Sequence, residues 1–258
     1  MPIHPTALVA PEARIAESAE IGPYSIIGPE VEIGARTRLV AHVYVEGPTW
    51  IGEDNVFFPY CTVGVASQDL KYRGERTETR IGHRNRIREF VTIHRGTEGG
   101  GRLTVIGDDN LLMAYVHIAH DVRVGDHTVL ANGVTVGGHV TIGDWAVIGA
   151  FTGLHQFCRV GRHAMIGGYS VVTQDVLPYS LTCGQRDIKV YGANRTGLER
   201  RGFPASTIES LQRALRLLTR SGLNTTQAIA RIREEVPPCP EVEELIAFIA
   251  ASERGVIK

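Results

Sequence analysis

Aliphatic residues recur at every sixth position along most of this chain. From Ile15 the ladder runs through Ile21, Ile27, Ile33, Leu39, Val45, Ile51, Phe57 and Val63, and it extends back to Val9 and Ile3. After a gap the same phase returns at Ile81, Ile87 and Ile93. A second gap moves the phase by one residue, and the ladder resumes at Ile106, passing through Leu112, Ile118 and Val124 to Ile166 and Val172. Glycine follows the first position in half of the hexads, as at Gly22, Gly34 and Gly125, and the fifth position is usually small or β-branched, as at Ser25, Thr128 and Cys158. A helix needs apolar residues every three to four positions. A hairpin array needs turns at wider, less even intervals. The pattern instead predicts a solenoid of short strands, one per hexad, with three hexads to a triangular coil of eighteen residues. The aliphatic side chains stack inward, backbone hydrogen bonds run from coil to coil, and the chain turns near the glycine. Cys61 and Cys158 then fall inward as buried core thiols.

The two gaps read as loops, 64–80 and 94–105. The first holds the polar run Ser67-Gln68-Asp69-Leu70-Lys71-Tyr72, and the second is rich in glycine. Neither has the spacing of a phosphate-binding loop. Past Pro178 the period is lost. Ile208, Leu211, Leu215 and Leu218 share one face of a helix that starts after Ser206-Thr207, with Arg213, Arg216 and Arg220 on another face. Further helices are expected from about Thr226 to Glu235 and from Glu241 to about Ala251, separated by a proline-rich break. The chain therefore divides into a mainly β solenoid, 1–184, and a C-terminal helical domain, 185–258.

A single sizeable core fits 258 residues. With 27 basic against 28 acidic residues the net charge is −1, so no bulk attraction to nucleic acid is implied. The balance is uneven: between Arg195 and Arg233 eight basic residues face two acidic ones, either a solvated helix face or a docking surface for an acidic partner. Four cysteines without a C-x-x-C pair give no disulfide framework. Neither a signal peptide nor a membrane span is evident, so a cytoplasmic protein is expected.

Of the ten histidines, four cluster in the second half of the ladder: His117, His120, His139 and His155. The eighteen-residue coil places position 138 over 120 and position 156 over 138. His120-Asp121, Gly138-His139 and His155-Gln156 thus occupy successive rungs of one edge, about 4.8 Å apart. Three readings fit such a strip: a metal site built from three histidines, satisfied structural imidazoles, or a general base near neutral pH. No serine or cysteine shares the strip, which disfavours a covalent enzyme intermediate. The backbone N–H of Gly138, one rung from His120, is well placed to receive a developing oxyanion.

Five stretches make the pattern specific: Ser67-Gln68-Asp69-Leu70-Lys71-Tyr72, Ile87 to Thr97, His117-Ile118-Ala119-His120-Asp121, His155-Gln156-Phe157-Cys158 and Arg200-Arg201-Gly202-Phe203. Together with the hexads, they closely resemble the acyl-carrier-protein–UDP-N-acetylglucosamine O-acyltransferase family, which begins lipid A synthesis, over nearly the whole chain. The resemblance implies a left-handed parallel β-helix, although general crossover rules favour the other hand. It also implies a homotrimer with active sites between subunits, and transfer of a 3-hydroxyacyl chain from acyl carrier protein to the glucosamine 3-position of UDP-N-acetylglucosamine, with no metal or cofactor.

By the same resemblance His120 is the catalytic base, Asp121 orients it and Gly138 is the oxyanion donor. Asp69, Lys71, His117, His139, His155 and Gln156 line the nucleotide-sugar and acyl site, and Asn194, Arg200 and Arg201 lie near the nucleotide or the carrier protein. Gly168 sets acyl length, on a column of mostly small residues with Ala114, Asn132 and Ala150. The chain departs from the family pattern at three points. The segment from Gly184 to Asn194 is about one residue longer than in relatives, Arg186 stands where a histidine is common, and Ser67 replaces an asparagine found in some members. Some members acylate a 3-amino sugar. Outside the family, the rivals are a later N-acyltransferase of the pathway, for whose extra leading domain a ladder starting at Ile3 leaves no room, a trimeric metal-dependent hydratase of the same fold, and a non-catalytic scaffold.

Overall fold

The computed structural model describes residues 3–185 and 187–258; Arg186 lies outside them. Strands of two residues, such as Leu8–Val9, Ile26–Ile27 and Tyr44–Val45, occur once per hexad and pair in parallel with the strand one coil away. Every third strand joins the same sheet, so sheets of nine, eight and ten strands form the three walls of a left-handed parallel β-helix. First-position side chains fill its interior: Leu39, Val45, Ile93, Ile118 and Leu130 are all fully buried. Cys61 and Cys158 lie among them, as their hexad positions predict.

The turns differ from expectation. The residue with left-handed backbone is the fourth of the hexad, and it is rarely glycine: Tyr24, Arg36, His42, Asp121, His139 and Phe157 all have φ between 51 and 66°. That conformation costs an L-residue about 1–2 kcal/mol. Stacking between successive turns offsets part of it, as where Tyr24, His42, Tyr60, Phe90 and Tyr115 form one column with ring centroids 4.8 to 5.0 Å apart. The second-position glycine serves another end. A Cβ at Gly22 would fall 1.9 Å from the carbonyl oxygen of Val40, and one at Gly34 would fall 2.6 Å from the carbonyl carbon of Gly52. These glycines let adjacent coils approach.

The chain leaves the prism after Val65 and rejoins it at Glu78, then leaves after His94 and rejoins at Leu103. Coil register survives both excursions, with Ile81 pairing to Ile51 on one side and to Ile106 on the other. Inside, buried asparagines bridge the same coils: Asn85 Nδ2 donates to Asn55 Oδ1 at 2.9 Å, and the Asn110 and Thr128 amides donate to the next Oδ1 atoms at 2.9 and 2.7 Å.

An antiparallel hairpin, Ser180–Cys183 with Lys189–Ala193, follows the last coils, and the division drawn at 184 falls within its turn. Helix α1 (Arg195–Arg200), also absent from the sequence reading, leads into α2 (Ala205–Arg220), α3 (Thr225–Glu235) and α4 (Pro240–Ala250). The expected Ile208, Leu211, Leu215 and Leu218 form the buried face of α2. None of the described helices is long and apolar enough to cross a membrane.

The chain's end is fastened to the solenoid by Asp175, which is 1% exposed. Its carboxylate accepts from Arg159 N and Nε at 2.8 and 2.9 Å and from Ser252 Oγ at 2.8 Å. Removing one member of a buried ion pair strands the other. Because Arg159 keeps some solvent contact, Asp175→Ala is expected to destabilise this attachment by roughly 2 kcal/mol, less than for a fully buried pair. Limited proteolysis should then cut the tail well before the solenoid. An unchanged digestion pattern would contradict that role for Asp175.

Candidate active site

The strip inferred from hexad counting exists. Thr92, His117 and Thr135 pair in register on one wall. At the turn that follows, His139 N donates to His120 O at 3.1 Å and Phe157 N donates to Gly138 O at 3.0 Å. His120-Asp121, Gly138-His139 and Gln156-Phe157 therefore stand on consecutive rungs.

His120 Nδ1 lies 2.8 Å from Asp121 Oδ2, and the Asp121 carboxylate has no solvent exposure. Burial works to raise the pKa of that carboxyl. Hydrogen bonds from His120 and from Thr97 prevail and hold it below the usual carboxylate range, with His139 adding a smaller pull in the same direction. An ionised carboxylate only accepts, so Nδ1 of His120 carries the hydrogen and Nε2 is left as the acceptor. That Nε2 passes directly over Gly138: a Cβ built there would meet Nε2 and Cε1 at 2.6 Å. Among the described residues, the N–H of Gly138 has no hydrogen-bond partner.

Asp69, Lys71, His117, His120 and Gln156 converge on one cleft of about 560 Å³. His117 Nδ1 is 2.7 Å from Thr92 Oγ1. Burial lowers its pKa, and the neighbouring His120 lowers it further. His139 lies flat on Phe157, with centroids 4.3 Å apart, and burial lowers its pKa against the attraction of Asp121. The cleft also contains a residue that the sequence reading did not single out, His94, which burial and then His117 push down to about 4. Its Nδ1 is buried without a partner among the described residues. Counting back eighteen from the strip misses His94 and Thr97, because the second loop lengthens that coil; Thr92 and His117, adjacent in space, are 25 apart in sequence.

Other expected residues lie elsewhere on this chain. His155 is exposed outside the cleft, with Nδ1 3.1 Å from Gln156 O and 3.3 Å from an Arg254 nitrogen. Asn194, Arg200 and Arg201 line a second cleft, of about 460 Å³. Asn194 caps α1 through Gly197 N and donates to His163 O at 3.0 Å, while the Arg201 guanidinium lies 5.1 Å from the Trp145 ring centroid. Gly168 is exposed on its column, where Tyr169 N bonds Ala150 O and Phe151 N bonds Asn132 O. A Cβ at Gly168 would meet only Ala150 O closely, at 3.1 Å, and a longer side chain would extend outward.

The nitrogen and oxygen atoms of His120, Asp121 and His139 lie within 4.8 Å of one another, a possible metal triad that does not include His155. A metal would have to displace the His120–Asp121 bond and share a carboxylate already held by Thr97. The arrangement suits a base with an orienting carboxylate better than a metal centre.

Comparison with known proteins follows the same lines. A family model described as UDP N-acetylglucosamine O-acyltransferase, domain 2, matches residues 175–257, and the bacterial transferase hexapeptide model (six repeats) matches 103–138. The acyl-[acyl-carrier-protein]–UDP-N-acetylglucosamine O-acyltransferase of Thermodesulfovibrio yellowstonii is 48% identical over 256 residues, and that of Verminephrobacter eiseniae is 47% identical over 261, with 99% of both chains covered in each case. Among solved structures, LpxA from Acinetobacter baumannii superimposes with a TM-score of 0.96 at 47% identity over 99% of both chains. The UDP-N-acetylglucosamine O-acyltransferase (LpxA) of Moraxella catarrhalis does so with a TM-score of 0.96 at 45% identity over 100% of both.

Proposed function

The chain belongs to the acyl-[acyl-carrier-protein]–UDP-N-acetylglucosamine O-acyltransferase family, and from that premise we propose how its own residues carry out the transfer. It moves a 3-hydroxyacyl group from acyl carrier protein to the 3-hydroxyl of UDP-N-acetylglucosamine, the first step of lipid A synthesis. In the proposed mechanism Nε2 of His120 takes the proton of the hydroxyl as its oxygen attacks the thioester carbonyl carbon. The carbonyl oxygen, now an oxyanion, accepts from Gly138 N–H. Collapse of the tetrahedral species expels the carrier thiolate, which recovers the proton from His120. Asp121 stays ionised throughout and stabilises the transient imidazolium. The observation that carries this reading is the 2.8 Å bond from His120 Nδ1 to a carboxylate with no solvent exposure.

Neutral His117 and His94, with Asp69, Lys71 and Gln156, suit a hydroxylated sugar, which needs hydrogen-bond donors and acceptors more than charge. Arg200, Arg201 and Asn194 offer the cationic and amide groups that a nucleotide diphosphate or the carrier's phosphate requires. Because they line a different cleft of the same chain, the reading includes a homotrimer in which they reach the cleft of a neighbouring copy. The exposed Arg216, with Arg213 and Arg220 beside it on α2, suits the acidic surface of a carrier protein. A carrier-protein donor and four free cysteines suit a cytoplasmic setting.

A mass-spectrometric product assay tests the substrate assignment. UDP-N-acetylglucosamine and its 3-amino analogue would be offered with 3-hydroxyacyl carrier proteins of graded length. The expected product is the 3-O-ester, and Gly168→Met should shorten the preferred chain. Preferential amide formation would overturn the acceptor assignment, and unchanged length preference would remove Gly168 from its role.

A further inference from the structure

Asp121 faces two imidazoles, and only one of them can be the working base. Its Oδ2 is 2.8 Å from Nδ1 of His120 and 3.9 Å from Nδ1 of His139, and those two rings meet edge-on with centroids 5.0 Å apart. Rotation of the carboxylate about its last bond would hand the acceptor from one ring to the other. Three contacts from the glycine-rich loop oppose that rotation. Thr97 Oγ1 donates to Oδ2 at 2.6 Å, and Thr97 N donates to Oδ1 and Oδ2 at 3.0 and 3.1 Å. The third is steric: the short 3-10 turn Glu98–Gly100 brings Gly100 so close that a Cβ there would lie 2.0 Å from the carboxylate carbon. From the other side, Thr104 Oγ1 accepts from Asp121 N at 2.8 Å and fixes the left-handed backbone of that residue.

We propose that Thr97 is a positioning residue for acyl transfer, holding the Asp121 carboxylate in the plane that serves His120 and withholds it from His139. The inference rests on His120 being the base. A carboxylate held by three donors from one loop residue and the adjacent ring keeps a single orientation through the proton transfer, so Nε2 of His120 stays aimed while charge develops on the imidazole. Without the Thr97 hydroxyl, the backbone N–H is the one hydrogen bond left from Thr97, and it bonds both oxygens almost equally. The packing of Gly100 then restrains the carboxylate without favouring either oxygen, and the preference for His120 over His139 weakens. The loop thus has a task in the chemistry, carried out on a group it does not itself contain.

The experiment compares the full-length parent with Thr97→Val, Thr97→Ser and His120→Ala. In Thr97→Val, kcat should fall about tenfold, as for loss of an outer hydrogen bond to a catalytic group, while KM for UDP-N-acetylglucosamine stays within about twofold. The far-downfield proton resonance of the His120–Asp121 bond, identified by its loss in His120→Ala, should broaden or vanish in Thr97→Val and return in Thr97→Ser together with kcat. A parental kcat in Thr97→Val, a KM that rises in step with the loss, or an intact downfield resonance at reduced activity would each overturn the proposal. If Thr97→Val does not fold, Thr97→Ala removes the same hydroxyl with a smaller side chain; it should show the same kcat loss and the same change in the downfield resonance, and a parental kcat there would overturn the proposal. An active His120→Ala would instead remove the base assignment, whatever Thr97 does.

Discussion

Replacing His120 with alanine should lower kcat by about a thousandfold, toward the upper part of the range for loss of a general base. The fold should be untouched. The imidazole stands at a turn, its only side-chain hydrogen bond among the described residues is with Asp121, and the first-position residues are buried without it. A thermal melt should therefore superimpose on that of the parent within a few degrees, since the lost bond contributes about 1–3 kcal/mol to a large cooperative unit. Single-turnover transfer from a loaded carrier protein is the measurement, because it reads the chemical step without product release. Turnover within tenfold of the parent would leave the cleft without its base, and neutral His94 or His117 would have to be considered in its place.

Gly138→Ala should be nearly as damaging by a different route. Gly138 does not have positive φ, so its backbone accepts alanine without strain. The added Cβ, however, would meet Nε2 and Cε1 of His120 at 2.6 Å. The ring cannot yield freely, because its opposite nitrogen is bonded to Asp121. Displacing it by about 1 Å is enough to cost on the order of a hundredfold in rate. The amide N–H persists in the variant, so the loss measures the placing of the base rather than the oxyanion contact. Binding of the nucleotide sugar, followed by calorimetry, should change little. A variant with kcat within about threefold of the parent would show that His120 has room to move and that its close approach to Gly138 is incidental.

The solenoid was legible because inward side chains repeat with the coil, and a period of six is hard to reach by chance over so many positions. The strip was legible for the same reason: one coil above His120 lies Gly138, and one above that Gln156. The lattice failed where the chain leaves it. His94 and Thr97 stand beside the strip, yet they precede it by an irregular interval because the loop that follows His94 lengthens the coil, and counting in sixes cannot follow that. Glycine was read as the turning residue because it tolerates unusual backbone, whereas the turns are made by residues such as Asp121 and His139 and the glycines relieve crowding between coils. That crowding is a contact between coils, which no local reading contains. The hairpin Ser180–Ala193 and the short α1 were missed because neither is long enough to show a period. His155 stood on the right rung but at the outer side of the turn, a distinction of side-chain direction that rung counting does not make.

Register is kept across both excursions, with Ile51, Ile81 and Ile106 in line although the intervening coils differ in length. The prism counts turns and is indifferent to how many residues each turn spends outside it. The two loops can therefore be exchanged, lengthened or redrawn by descent or by design without disturbing the spacing of the walls. His120 belongs to the part that such changes leave alone, whereas Asp69, Lys71 and Thr97 belong to the part that can vary. A lineage could thus revise which sugar it greets, or how firmly its base is held, by editing one loop at a time on a frame that need not be refolded to accommodate the change.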